Sequence, residues 1–159
     1  MMKSVVLMIG AMLSLLSCGT KAPKGELVGL KYTTVGTMAG YQYEGRIEQR
    51  SDTTFILTAM KMNYGTLYQK RIGMAEMARL KKIIIEEKMY KYKRHYRPIF
   101  TVKDGYSWYF YAEFSDGMRI YSNGENATPG GNGLIRVLNA LNQMIEDATE
   151  EVPDSLRKD

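Results

Sequence analysis

Tyr106-Ser107-Trp108-Tyr109-Phe110-Tyr111-Ala112-Glu113-Phe114-Ser115-Asp116-Gly117-Met118-Arg119-Ile120-Tyr121-Ser122 is the stretch that decides the fold. Trp108, Phe110, Ala112 and Phe114 fall on one face of an extended chain, with Ser107, Tyr109, Tyr111 and Glu113 on the other. A period of two marks a strand with one buried face. Ser115-Asp116-Gly117 then turns the chain back. A two-residue Asp-Gly turn would set Glu113 opposite Ile120. A three-residue loop with Gly117 left-handed would instead set Phe114 opposite Met118, Glu113 opposite Arg119, Ala112 opposite Ile120 and Tyr111 opposite Tyr121. The second register keeps apolar residues on one face and opposite charges on the other, so it is the one expected.

On the N-terminal side, Leu27 to Val35 and Tyr41 to Gln49 read as strands. Tyr41, Tyr43 and Ile47 share one face, and Gln42, Glu44, Arg46 and Glu48 share the other. After a turn at Ser51-Asp52, Thr53 to Met60 is rich in β-branched and aromatic residues, and Thr66 to Ile72 reads as a further strand. The period then changes. Met77, Leu80, Ile83, Ile84 and Glu87 lie at helical spacing across Met74 to Glu87, an amphipathic helix without a Ser, Thr or Asp cap. Ile83-Ile84-Ile85 could alternatively open a strand. After the hairpin, residues 123–133 read as a loop, followed by a helix with Leu134, Val137, Leu138, Leu141 and Ile145 on its core stripe. Strands, helix, strands, helix implies an α+β fold: an antiparallel sheet with about two helices packed on one face.

The chain opens Met1-Met2-Lys3-Ser4, then runs almost wholly apolar from Val5 to Leu16 and reaches Leu15-Leu16-Ser17-Cys18. A charged start, a short apolar run and a small residue before the cleavage point define an export signal, and the run is too short to span a bilayer. Cys18 is the only cysteine, so an intrachain disulfide is excluded. Residues 1–17 are therefore expected to be a signal peptide, 18–25 (CGTKAPKG) a tether, 26–148 one α+β domain and 149–159 a flexible tail. The net charge of +5 is mild and decides no partner by itself.

Several groups carry possible chemistry. Residues 88–97, KMYKYKRHYR, interleave Tyr90, Tyr92 and Tyr96 with Lys91, Lys93, His95 and Arg97. As a strand this gives an aromatic and a basic face. Lys91, Lys93, Arg94 and Arg97 are the candidate contact for anionic lipid or lipopolysaccharide, and an edge strand guarded by lysines is the plainer account. Tyr109, Tyr111 and Tyr121, with Glu113 and Arg119, form a candidate binding face for a protein or glycan; a half-exposed sheet face explains the same residues. His95 is the only histidine and finds no evident Ser, Cys or carboxylate partner. Gly130-Gly131-Asn132-Gly133 precedes a helix, but no phosphate-loop spacing accompanies it. No catalytic residue, cofactor or metal is expected, and a hydrolase is a distant alternative.

Leu15-Leu16-Ser17-Cys18 resembles the bacterial lipobox. With Asp104-Gly105-Tyr106-Ser107-Trp108 and Ser115-Asp116-Gly117, the chain resembles small Bacteroidetes-type lipoproteins with one α+β domain behind the signal. That resemblance implies acylation of Cys18 as the membrane partner. With Gly19 and Lys21 after the cysteine, it also implies an outer membrane location facing the periplasm. Asp52-Thr53-Thr54 and Asp154-Ser155-Leu156 resemble the O-glycosylation motif of that group, which makes Thr53 and Ser155 candidate acceptors. An unidentified protein or glycan is the expected partner. Nucleic acid is not, because an exported chain seldom meets it.

Overall fold

The computed structural model describes residues 21–36, 42–61, 65–100 and 105–153. The expected signal, Cys18 and Ser155 lie outside these residues. No helix among the described residues is long and apolar enough to cross a membrane.

The described residues form an α+β fold with one eight-stranded sheet. The strands are β1 (Leu27–Gly36), β2 (Gln42–Gln49), β3 (Thr54–Met60), β4 (Leu67–Gly73), β5 (His95–Tyr96), β6 (Tyr106–Phe114), β7 (Arg119–Glu125) and β8 (Glu150–Glu151), and the helices are α1 (Met74–Glu86) and α2 (Gly133–Ile145). Their order across the sheet is β5-β7-β6-β1-β2-β3-β4-β8. β1 to β4 run outward as a meander on one side of β1. The chain returns through α1 and adds β6 and β7 on the other side. All pairs are antiparallel except β5 with β7, so the sheet is larger than the sequence suggests and is mixed rather than purely antiparallel.

The core follows the period-two pattern. Tyr43, Ile47, Phe55, Leu57, Phe110 and Phe114 are buried on one face, under Met77, Leu80 and Ile84 of α1 and Val137, Leu141 and Ile145 of α2. The Leu141 side chain reaches the β2 backbone at Gly45, which places α2 over this face. Ile83-Ile84-Ile85 are helical, as the amphipathic period requires. In place of a side-chain cap, the Gly73 N–H at the start of α1 donates to the Glu76 carboxylate at 3.0 Å. The hairpin adopts the three-residue register. Glu113 faces Arg119, Ala112 faces Ile120 and Tyr111 faces Tyr121, with Gly117 at φ +82°.

Four segments differ from expectation. Residues 88–97 do not form a strand. Met89–Lys91 make one 3₁₀ turn, and only His95–Tyr96 pair, in parallel with β7. Met89 is drawn fully into the core, and this breaks the extended run. Asn123 to Glu125 belong to β7 rather than to a loop. The folded unit also continues past Ala148, because Glu150–Glu151 pair with β4 and Val152 is buried. Finally, the end of the tether is docked. The Lys24 and Gly25 N–H groups donate to the Asp116 carboxylate at 2.9 and 2.8 Å, and Glu26 exchanges bonds with Ser115.

Candidate functional site

The other face of the sheet is where the strands send their polar residues. Strand pairing lines up one row across it: Tyr121 on β7, Tyr111 on β6, Lys31 on β1, Arg46 on β2, Thr58 on β3 and Gln69 on β4. Each neighbour in that row is a direct cross-strand partner, so the side chains share one face.

The expected binding face is assembled here. Tyr109 and Tyr121 meet edge to face with ring centroids 5.2 Å apart. The Tyr111 hydroxyl donates to Glu113 at 3.1 Å, and the Arg119 Nε donates to the same carboxylate at 2.9 Å. The bond from Arg119 is the main reason the Glu113 carboxyl is held below its ordinary range, and Glu113 in turn raises Arg119. Burial is the first cause pushing both Tyr109 and Tyr111 upward. These hydroxyls therefore stay protonated at neutral pH and can donate hydrogen bonds.

The basic segment joins this face at its edge. The Arg94 guanidinium lies 5.4 Å from the centre of the Tyr121 ring. Tyr92 and Tyr96 turn inward, Tyr96 against Trp108 at 5.8 Å, while Lys91, Lys93, Arg94 and Arg97 are exposed. Burial pushes the Tyr92 hydroxyl up to about 12. His95 is exposed as well; its ring bonds the Asn123 side chain and accepts from Arg97 Nε at 2.6 Å. With both ring nitrogens engaged, His95 ties the β5 edge to Asn123 of β7.

The helix N-terminus after Gly130-Gly131 is occupied from within. The Glu87 carboxylate accepts from the Asn132 N–H at 3.3 Å and from Arg136 at 2.7 Å. Arg136 also bonds Glu86 at 2.8 Å, so the charged groove between the helices is paired internally. No cluster of metal-ligating side chains occurs among the described residues. Thr53 is exposed in the bend before β3.

Three features escape the sequence reading. Lys31 and Arg46 face each other directly on the open face. They line a shallow groove of about 580 Å³ with Gly29, Glu48, Tyr111 and Glu113. Ile99 and Phe100, just after the basic segment, are 95% and 81% exposed. Only the last could have been suspected beforehand, as an apolar pair beside basic residues. The cation pair depends on the β1–β2 register, which no turn motif in the sequence specifies. No family model matches the chain, and no curated protein matches it.

Proposed function

We propose that the protein is a lipid-anchored envelope lipoprotein, held by acylated Cys18, whose folded domain is a non-enzymatic binding module for a glycan or protein partner. The observation that carries the binding role is the β6–β7 part of the sheet face that neither α1 nor α2 covers. Tyrosine rings, protonated hydroxyls and the Glu113–Arg119 pair stand there together, while both helices cover the opposite face. Flat rings with polar tips suit sugar rings and protein surfaces alike. The test is purification from envelopes solubilised in neutral detergent with Cys18 intact. A partner that copurifies with the native chain and is lost on Tyr109→Ala with Tyr121→Ala supports the reading. A partner retained by that variant refutes it.

A second reading is contact with anionic lipid through residues 91–97. It is favoured by the exposed Ile99-Phe100 pair beside four exposed cations, a combination suited to a headgroup boundary. Each cation near an anionic surface contributes about 1 kcal/mol, and the attraction fades within a Debye length. Sedimentation with anionic vesicles at low and physiological salt tests it. Changing Lys91, Lys93, Arg94 and Arg97 to Gln should abolish binding; no binding by the unchanged chain at low salt removes this reading.

A further inference from the structure

Lys31 and Arg46 sit directly opposite each other across β1 and β2, on the face away from α1 and α2. Like charges in that position repel and destabilise a sheet. Neither cation has a carboxylate partner among the described residues, although carboxylates are near. Glu113 is taken by Arg119 at 2.8 Å, and Glu48 lies 3.7 Å from Arg50. Glu44, two residues along β2, is also half-buried on this face and forms no ion pair with either cation. The Arg46 Nε is buried from solvent with no hydrogen-bond partner among the described residues. A buried N–H without an acceptor is uncommon in a folded protein.

We propose that the Lys31–Arg46 pair is an anion subsite for a carboxylated sugar of an acidic glycan. This inference rests on the open-face reading and narrows it to one ligand class. The ring of such a sugar has a ready place. Gly29 leaves the groove floor without a side chain, and Tyr111, directly across from Lys31, supplies a flat wall. Guanidinium and ammonium groups side by side match a carboxylate, which accepts from both. The Tyr109–Tyr121 pair continues the same face by one strand, giving adjoining sugar units an aromatic surface. A bare phosphate would use the cations but leave the tyrosines idle.

The probe is tetragalacturonate, compared with its fully methyl-esterified form, which keeps the rings and removes the charge. Calorimetry uses the full chain in neutral detergent. Tetragalacturonate should bind at least about tenfold more tightly than the ester, because charge-assisted bonds exceed neutral ones by that order. Lys31→Gln with Arg46→Gln should lose a similar factor while melting at a higher temperature, since the substitution relieves repulsion. A merely structural pair would give the opposite sign in melting. Equal affinity for acid and ester overturns the subsite. So does native-like binding by the double variant, or no binding of tetragalacturonate. Each of these leaves the open-face reading to its own test, loss of a copurifying partner on the Tyr109 and Tyr121 changes.

Discussion

Gly124→Ala should be among the most damaging single-methyl changes in the chain. Gly124 pairs with Trp108 on the covered face of the sheet. A Cβ there would sit on the Ala127 carbonyl oxygen and 2.5 Å from Trp108 Nε1. Those two atoms form a 2.7 Å hydrogen bond in which the indole donates to Ala127. The added methyl must break that bond or push the strand aside. Overpacking of this kind costs about 1–3 kcal/mol. A buried donor left unpaired costs about 1–3 kcal/mol more. A combined loss of about 3 kcal/mol is expected, which lowers the melting temperature by roughly 10 °C for a domain of this size. Trp108 is the only tryptophan and is 3% exposed, so its fluorescence reports directly on the affected site. Denaturant unfolding followed at that indole measures the change. A variant within about 0.5 kcal/mol of native, the range of an ordinary surface substitution, would refute the reasoning.

Cys18→Ala should release the protein from membranes into the soluble fraction, because stable attachment requires acyl chains at that residue; tight membrane association of the variant would exclude the lipoprotein reading. Acid should undock the tether from the hairpin turn. The Gly25 N–H bond, followed by that of Met118, holds the Asp116 carboxyl below its ordinary 3.8. A lowered carboxyl pKa adds stability that is present above the ordinary value and is lost as pH falls through the folded one. Protection of the Lys24 and Gly25 amides, measured against the intrinsic exchange rate at each pH, should therefore be present at neutral pH and lost well below 3.8, and unchanged protection there would contradict the docking.

The hairpin was legible because two constraints agreed in one short stretch. Burial of Trp108, Phe110, Ala112 and Phe114 and the opposition of Glu113 to Arg119 select the same register, and Gly117 permits the turn it needs. The helical stripes of Met77, Leu80 and Ile84 and of Val137, Leu141 and Ile145 were legible for the same reason. Residues 88–97 misled because alternation of tyrosine with lysine fits a strand as well as any chain with one wet side. The deciding term is tertiary: Met89 fits a fully buried position beside Gly133, and the backbone turns to deliver it. β8 was hidden because Glu150 and Glu151 have poor strand preference and are held by pairing with β4. Of the candidate site, the tyrosine cluster could be read within one hairpin. The Lys31–Arg46 opposition joins strands whose register is set by the whole sheet.

The docked tether also bears on which surface meets the membrane. Asp116 and Ser115 grip residues 24–26 at the β6–β7 turn, so an anchor at Cys18 would leave from that end of the sheet. The six residues 18–23 reach at most roughly 20 Å when extended. The basic edge lies toward the opposite end of β7, where His95 pairs with Asn123. That is four residues beyond Arg119, or roughly 13 Å along the strand. A domain standing on its β6–β7 turn would hold Ile99 and Phe100 away from the bilayer and leave the tyrosine face open to a partner. Lipid contact through residues 91–97 would require the domain to lie down on its β5 edge, which the same tether is long enough to permit. The two readings therefore correspond to two poses, and Arg94 is common to both: over Tyr121 it belongs to the open face, and in the flat pose it faces lipid. Charge at Arg94 alone does not separate them. Ile99 and Phe100 do, because they contribute only when the edge touches the membrane.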